Sequence, residues 1–170
     1  YRAINQANRL LEAGALIELE DSDDEDTYND IIAQARMIRA FSHFQLLNYF
    51  STDLTDDSAL GVILLDFVPG QDAQLLRSTN GEVFDLIESD IDYARANLQT
   101  DRSTTFISQD MVDALEARIS AYRGDYSRAL TLAEDLLDKY PLATRDEYFD
   151  IFSDDSDAEI IWKLERTFNG

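Results

Sequence analysis

The chain contains a single histidine, His43, and histidine is the residue type that most often transfers protons near neutral pH. His43 lies in a helical pattern among Phe41, Phe44 and Leu46, which offer neither a nucleophile nor a group to orient the imidazole. The chain has no cysteine, so a metal bound through His43 would lack a second soft ligand. We therefore predict no catalytic residue, no metal site and no cofactor, and we interpret His43 as a residue on a helix face.

Acidic side chains outnumber basic ones by 35 to 14, which gives a formal net charge of −21. No basic patch is available to neutralise phosphates, so nucleic acid is excluded as a partner. Asp110 and Asp113 have the residue types of a glycosidase acid pair, but such pairs arise by chance among so many carboxylates. The acidic run at residues 21–26 predicts a solvated loop. Calcium in that loop stays open as an alternative, although Asp26 stands where an EF-hand requires glycine.

Aromatic side chains are the candidates for binding, because flat rings can stack on the apolar faces of sugars. Tyr49, Phe50 and Phe67 border a long stretch, residues 51–76, in which the helical pattern breaks. We predict that these three residues contact a ligand. Trp162, the only tryptophan, lies among apolar neighbours in the C-terminal tail, and we interpret it as a packing residue.

Four arginines lie in or beside predicted helices: Arg36, Arg39, Arg77 and Arg118. A guanidinium can bridge carboxylates on helices or bind the carbonyl groups at a helix end. We interpret these arginines as structural groups of this kind. Contact with an anion or a sugar is the alternative.

The elements that position these residues are helices, since apolar residues recur at spacings of three and four along most of the chain. Two short stretches, near 60–66 and 158–164, are predicted to be extended. Residues Thr27, Thr79 and Ser108 are the expected caps of the second, third and fourth helices. The five expected helices lie near residues 1–19, 27–50, 80–98, 108–123 and 126–139.

The clearest local motif is Gly124-Asp125, followed by Ala129, Ala133 and Pro141. Glycine can adopt the left-handed conformation that ends one helix, and aspartate can cap the next. The two alanines allow a close approach of the helices, and the proline stops the second one. The pattern is typical of a tetratricopeptide-type hairpin, and we predict an all-α fold built from such hairpins.

Several motifs, in order, resemble the SusD/RagB family of nutrient-binding outer-membrane lipoproteins. Residues 1–8 resemble the family's Y-x-x-I-N-x-A-N helix, and residues 35–46 resemble its A-x-x-x-R-A-x-x-x-F-x-L helix. The longest match is RSTNGEVFDLIESDIDYA at residues 77–94. At Gly61-Val62-Ile63, isoleucine replaces the proline of the family's G-V/I-P step, and residues 148–152 resemble its Y-x-x-L-F motif.

The resemblance implies a non-enzymatic protein on the surface of a Bacteroidetes-type bacterium, anchored in the outer membrane by a lipid on a cysteine upstream of these residues. Such proteins bind a glycan or oligosaccharide and pass it to a SusC-like TonB-dependent transporter. Residues 1–170 are then expected to form the N-terminal tetratricopeptide-like region, with most of the ligand site in a C-terminal half beyond them. The chain starts at Tyr1, without an export signal, which we interpret as the start of a fragment. No apolar run is long enough to span a membrane.

An ordinary tetratricopeptide adaptor, which holds a peptide on its concave helical surface, is the alternative function. Such arrays repeat roughly every 34 residues with short turns. Only the Gly124 hairpin keeps that spacing here, and the interruption at 51–76 favours the nutrient-binding interpretation. The identities of the glycan and of the transporter stay open, as does whether the acidic surface reflects a saline habitat.

Overall fold

The computed structural model describes residues 1–19, 21–100, 103–153 and 155–164. These ranges contain no regular strand, and a single isolated antiparallel bridge joins Leu60 to Thr79 within them. The predicted all-α fold is therefore confirmed. The chain divides into two compact units, Tyr1–Gln99 and Thr100–Gly170. The helices of the described residues are α1 (Arg2–Gly14), α2 (Ser22–Phe50), α3 (Asn80–Asn97), α4 (Gln109–Arg123), α5 (Tyr126–Lys139) and α6 (Arg145–Phe152).

In the first unit, the long helix α2 packs against both α1 and α3. Its apolar seam is completely buried, as the spacing of three and four predicts, and it comprises Ala33, Met37, Ala40, Phe44 and Leu47. Ile4 of α1 and Val83 and Ile87 of α3 are buried as well. Each large apolar side chain removed from water in this way contributes about 1.5–3 kcal/mol to stability.

The start of α2 differs from the prediction. Residues 21, 22 and 24–26 are exposed, but residues 21–26 form the N-cap and the first turn of the helix rather than a loop. Asp21 is the N-cap, and its carboxylate accepts a hydrogen bond from the backbone N–H of Asp24 at 2.9 Å. Carboxylates are favourable at a helix N-terminus, so the acidic run supports helix formation here. The predicted cap at Thr27 is therefore wrong.

The end of α1 also differs. The helix stops at Gly14, whereas the apolar pattern predicted an end near Leu19. Leu16 and Ile17, which extended that pattern, are 84% and 59% exposed. A Cβ at Gly14 would lie 2.8 Å from Cδ1 of Ile32 on α2, so a larger residue there would require the end of the Ile32 side chain to shift.

In the second unit, α4 and α5 form the predicted hairpin. Gly124 ends α4 with a φ of 84°, in the left-handed region. The carboxylate of Asp125 caps α5 by accepting a hydrogen bond from the N–H of Arg128 at 3.1 Å. Leu132 and Leu136 are the buried residues of α5.

Helix α6 was not predicted, although its signature is present in the sequence. Thr144 and Glu147 form a reciprocal capping box, in which the N–H of Thr144 donates to Oε2 of Glu147 at 2.8 Å. Residues 158–159 then form a turn, and residues 160–164 continue without regular structure. Trp162 is half-buried there.

Candidate functional site

Residues 60–68, the 60–68 segment, run along the first unit without regular structure. Side chains of the helices bind their main chain: the N–H of Ile63 donates to the hydroxyl of Tyr1 at 3.1 Å, and the N–H of Val68 donates to Oε1 of Glu12 at 2.8 Å. Ile63 binds Tyr1 before the start of α1, and Val68 binds Glu12 near its end. The segment therefore runs in the same direction as α1. A proline at position 63 would lack the N–H that binds Tyr1.

A buried polar network lies beneath this segment. Arg39 of α2 donates from Nε and Nη2 to the two carboxylate oxygens of Asp90 of α3, at 2.8 and 2.7 Å. Its Nη1 donates to Oδ1 of Asn8 of α1 at 2.9 Å. The amide nitrogen of Asn8 donates in turn to the carbonyl groups of Leu65 and Phe67, at 3.0 and 2.9 Å. The network therefore joins three helices and the 60–68 segment.

The charges of this network compensate one another. Burial raises the pKa of Asp90, and the bonds from Arg39 act in the opposite direction. Arg36 brings a second positive charge to within 3.6 Å of Asp90, and its guanidinium lies 4.2 Å from the ring centroid of Tyr93. The predicted structural roles of Arg36 and Arg39 are thus confirmed.

His43 is a structural link between α2 and the 60–68 segment. Its Nε2 accepts a hydrogen bond from the N–H of Leu65 at 3.2 Å, so the proton belongs on Nδ1, which lies 3.1 Å from the carbonyl oxygen of Arg39. Burial lowers the pKa of His43 from 6.5 to about 4, which keeps the imidazole neutral. Because the ring is fully buried and both nitrogens are engaged, His43 cannot act as a general base.

Arg77 holds the end of α2 to the start of the 60–68 segment. Its Nη2 donates to the carbonyl groups of Phe50 and Leu60, at 2.9 and 2.8 Å, and its Nε donates to that of Gly61 at 2.6 Å. A guanidinium at a helix C-terminus is favourable because of the helix dipole. The structural interpretation of Arg77 is confirmed. Arg118 is exposed, and its role stays a prediction.

The irregular residues before the segment are fixed by Asn80, which is fully buried. Its amide donates to the carbonyl groups of Asp53 and Asp56, at 2.6 and 3.0 Å. Hydrogen bonds from the Thr55 hydroxyl and amide lower the pKa of Asp53, and those from Ser58 lower the pKa of Asp56 in the same way. Both exposed carboxylates are therefore charged at neutral pH.

Two further findings bear on the kind of site. In the parts of the chain that the structure describes, no three His, Cys, Asp or Glu side chains come together in a way that could hold a metal ion. Of the helices in those same parts, none has the length and apolar character needed to cross a membrane.

The three predicted ligand residues are exposed, but they do not form one cluster. Tyr49 and Phe50 adjoin each other at the end of α2 and are 78% and 61% exposed, whereas Phe67 is 42% exposed. The amide nitrogen of Asn8 donates to the carbonyl group of Phe67, and the amide oxygen of Asn8 accepts a hydrogen bond from Arg39. Arg39 lies eleven residues before Phe50 in α2. Phe67 is therefore linked, through the side chains of Asn8 and Arg39, to a part of α2 about three helical turns before Phe50.

Sequence reasoning missed Asn8 and Asp90, which organise this region. Both occupy positions that the helical spacing assigns to the core: Asn8 follows Ile4 by four residues, and Asp90 follows Ile87 by three. A polar side chain in an apolar seam must find a buried partner. That mismatch between residue type and position was the available signal.

The comparisons with known proteins agree with this fold. A SusD superfamily protein from Bacteroides thetaiotaomicron is 25% identical, with a TM-score of 0.85 over 99% of this chain and 38% of its own. A SusD superfamily protein from Bacteroides vulgatus is 22% identical, with a TM-score of 0.83 over 98% of this chain and 39% of its own. A laminarin-binding SusD-like protein is 20% identical, with a TM-score of 0.68 over 90% of this chain and 33% of its own.

The chain thus spans about two fifths of the length of the first two structures, at 38% and 39%. No curated protein matches it. A SusD-like family model, described as starch-binding and associating with the outer membrane, matches residues 1–120, which is well over half of the chain. The chain therefore belongs to the SusD-like family.

Proposed function

We propose that residues 1–170 form the N-terminal tetratricopeptide-like region of a longer protein that captures oligosaccharides at the cell surface. The observation that carries the proposal is the family match over residues 1–120, since that family is described as starch-binding and associated with the outer membrane. The laminarin-binding structure among the related folds supports a polysaccharide as the class of ligand. The longer protein then acts by binding, without catalysis, and passes its ligand to a SusC-like TonB-dependent transporter.

The proposed contacts of this chain with the ligand are aromatic. Tyr49 and Phe50 present exposed rings at the end of α2, and Phe67 presents one on the 60–68 segment. Arg77 and Asn8 hold the main chain at these two places, so the rings stand on a rigid support. The links of these two places to parts of α2 about three helical turns apart suit contact with different units of one extended oligosaccharide rather than with one small sugar.

The proposed location is the outer face of the outer membrane of a Bacteroidetes-type bacterium. The family description supports an association with the outer membrane. We propose that a lipid on a cysteine upstream of these residues makes the attachment, and that the transporter is the protein partner.

Affinity gel electrophoresis of the full-length gene product, with laminarin or soluble starch in the gel, tests the proposal. The double substitution Tyr49→Ala with Phe50→Ala should weaken retention about tenfold in apparent Kd, because each stacked ring contributes about 0.5–1.5 kcal/mol. Phe67→Ala should weaken it severalfold. Tyr126→Ala is the matched control, since Tyr126 is 72% exposed but lies on α5 in the other unit.

The proposed ligand class is wrong if the unmodified protein migrates equally in gels with and without either polysaccharide. The proposed contacts are wrong if the protein is retained but Tyr49→Ala with Phe50→Ala weakens retention no more than the Tyr126→Ala control does.

A further inference from the structure

The start of α3 contains an Asn-Gly pair, Asn80-Gly81, and asparagine is chemically least stable when glycine follows it. The backbone nitrogen of the glycine can attack Cγ of the asparagine, because no side chain on glycine hinders the approach. A succinimide ring closes, and the amide nitrogen leaves as ammonia with the proton of the attacking N–H. Water then opens the ring to aspartate or isoaspartate. The other pair of this kind, Asn169-Gly170, lies outside the described residues.

In the folded chain, Asn80 holds residues 53–59, the 53–59 loop, through three carbonyl groups. Its side-chain amide donates to the carbonyl groups of Asp53 and Asp56, at 2.6 and 3.0 Å. Its backbone N–H donates to the carbonyl group of Ala59 at 2.9 Å. The labile side chain is therefore also the anchor of the loop.

Gly81 binds the same loop and fits closely against it. Its N–H donates to the carbonyl oxygen of Asp57 at 3.0 Å. A Cβ at position 81 would lie 3.2 Å from Cβ of Asp57 and 3.3 Å from its carbonyl oxygen, which is closer than most Cβ contacts. Glycine at position 81 needs no displacement of Asp57, and asparagine at position 80 supplies the donors. This packing explains why a labile pair stands here.

The folded state opposes the reaction in three ways. The N–H of Gly81 that must lose its proton is bound to Asp57, and the amide group of Asn80 that must leave is held by two carbonyl groups. Asn80 is also fully buried, so water is kept from the ring that has to be hydrolysed. The hydrogen bonds exist only while the 53–59 loop is in place. We propose that Asn80 is a deamidation site that is inactive in the folded chain and reacts when this loop opens.

The 53–59 loop belongs to the part of the molecule that opens most readily. Its residues are exposed except for 54 and 59, and it contains no regular secondary structure. Segments with few buried contacts open locally at a lower cost in free energy than the whole fold. When opening and closing are fast, the rate of an irreversible step follows the population of the open state. The deamidation rate of Asn80 is thus set by how often the loop is open.

The product of the reaction cannot restore the loop. Aspartate at position 80 has no amide donor, so its buried carboxylate would face the carbonyl oxygens of Asp53 and Asp56. Isoaspartate also lengthens the main chain between Thr79 and Glu82, which form the capping box of α3. Each deamidation therefore weakens both the loop and the start of α3 irreversibly. This inference goes beyond the proposed function and does not depend on the glycan contacts.

Peptide mapping by mass spectrometry of the full-length gene product tests the site. The protein is incubated at a mildly alkaline pH, in buffer and in urea, and the replacement of the amide by a carboxyl group is followed over time. In urea, Asn80 should deamidate faster than Asn5 and Asn29, which are not followed by glycine. In buffer, the rate at Asn80 should be at least about tenfold lower than in urea, because the reaction requires the open state.

A variant that loosens the loop tests whether opening controls the rate. Asp53→Ala with Asp56→Ala removes the carboxylates that accept hydrogen bonds from Thr55 and Ser58, and it leaves the labile pair unchanged. Deamidation in buffer should become at least about threefold faster, whereas the rate in urea should stay the same. Asp72→Ala, which removes an exposed carboxylate outside the loop, is the matched control and should change neither rate. If the double variant does not fold, Thr55→Ala with Ser58→Ala provides the same comparison.

Asn80→Asp tests the effect of the product directly. The melting temperature of the full-length protein should fall by at least about 2 °C, because two carbonyl groups lose their donor and a carboxylate is buried. Asn5→Asp is the matched control for this change of side chain. Oδ1 of Asn5 accepts a hydrogen bond from Nε of Arg9 at 2.8 Å, so a carboxylate is favourable there and the melting temperature should not fall.

Four results would overturn the proposal. Equal rates in buffer and in urea would mean that the fold does not restrain Asn80, and an absence of deamidation in urea would mean that the pair is not labile. An effect of Asp53→Ala with Asp56→Ala no larger than that of Asp72→Ala would exclude loop opening as the control. Unchanged melting of Asn80→Asp would mean that the product restores the loop. None of these results concerns retention on polysaccharides, so this proposal and the proposed function can fail independently.

Discussion

Acidification is expected to destabilise the chain through His43. The ring is fully buried, its Nε2 accepts a hydrogen bond from the N–H of Leu65, and burial lowers its pKa to about 4. Protonation would place a positive charge in the core next to Arg39 and would replace the acceptor that Leu65 needs with a donor.

The direction of the pH effect follows from how His43 binds a proton in the unfolded and in the folded chain. In the unfolded chain His43 binds a proton below its ordinary pKa of 6.5, whereas in the folded chain it does so only below about 4. Between these values the unfolded state binds more protons, so the free energy of unfolding falls as the pH falls. The contribution of His43 is complete above a pH of 6.5 and is lost by about 4.

The size of the stability loss follows from the same two pKa values of His43, 6.5 and about 4. Each unit of pKa difference corresponds to about 1.4 kcal/mol, so the full effect is about 3 kcal/mol, and about 2 kcal/mol is lost by a pH of about 5. This loss is a large fraction of the stability of a typical domain, which is about 5–15 kcal/mol.

Two measurements check this prediction. Because His43 is the only histidine, an NMR titration of the folded chain contains one set of imidazole signals, and its midpoint should lie near 4 with the proton on Nδ1 above it. Urea unfolding at a pH of about 7.5 and about 5 should show the loss in the unmodified chain. His43→Gln has no titrating ring, so the difference between the two chains should separate the histidine from the carboxylates.

A midpoint at 6.5 or above would refute the reasoning. It would mean that water reaches the ring, or that the field of the 35 acidic residues outweighs burial. An equal loss of stability in the unmodified chain and in His43→Gln would also exclude the histidine as the cause.

Three other predictions concern the network, the hairpin and the net charge. Asp90→Asn should reduce the free energy of unfolding by about 3–5 kcal/mol in urea melts, because it leaves the guanidinium of Arg39 buried and uncompensated. Glu116→Gln breaks the ion pair between Glu116 and Arg128, whose side chains are 24% and 45% exposed. It should reduce the free energy of unfolding by no more than about 1 kcal/mol. Gly124→Ala should cost about 1–2 kcal/mol, since position 124 has a φ of 84°; Gly70→Ala, at an open position without that constraint, should be nearly neutral. The melting temperature should rise between about 0.1 and 1 M NaCl, because the Debye length falls from about 10 to 3 Å and the added salt screens the repulsion within the net charge of −21. A flat or falling melting temperature would mean that the acidic surface is already neutralised by its arginines.

The helical framework was predictable because local chemistry and apolar spacing agree there. Gly124 and Asp125 fix the hairpin, and Thr79, the predicted cap of α3, forms a capping box with Glu82. The apolar periodicity alone did not predict where α1 ends and where α2 begins. Residues 15–19 keep an apolar character beyond α1 although their side chains face water, and the acidic residues 21–26 look like a loop although they stabilise a helix N-terminus.

The candidate site was less predictable, because its construction depends on contacts between residues distant in the chain. Asn8, Arg39 and Asp90 meet only after three helices have packed. The exposure of Tyr49, Phe50 and Phe67 agrees with a position at the edge of the irregular stretch, but their links to separate parts of α2 could not be read from spacing. Their contact with a ligand stays a prediction.

The anchoring of the 60–68 segment has a consequence for which residues of this chain can be exchanged. Several helix side chains hold this segment through its backbone carbonyl groups, which every residue type possesses, and through its N–H groups, which only proline lacks. Outward-facing residues of the segment can therefore be exchanged without loss of the bonds that position it. A library randomised at Asp66 and Phe67 should consist mainly of folded proteins, whereas one randomised at Asn8 and His43 should not. Under the proposed contact of Phe67 with the ligand, specificity and foldability are carried by different residues, so new ligand preferences can arise by substitution at the surface while the support stays the same.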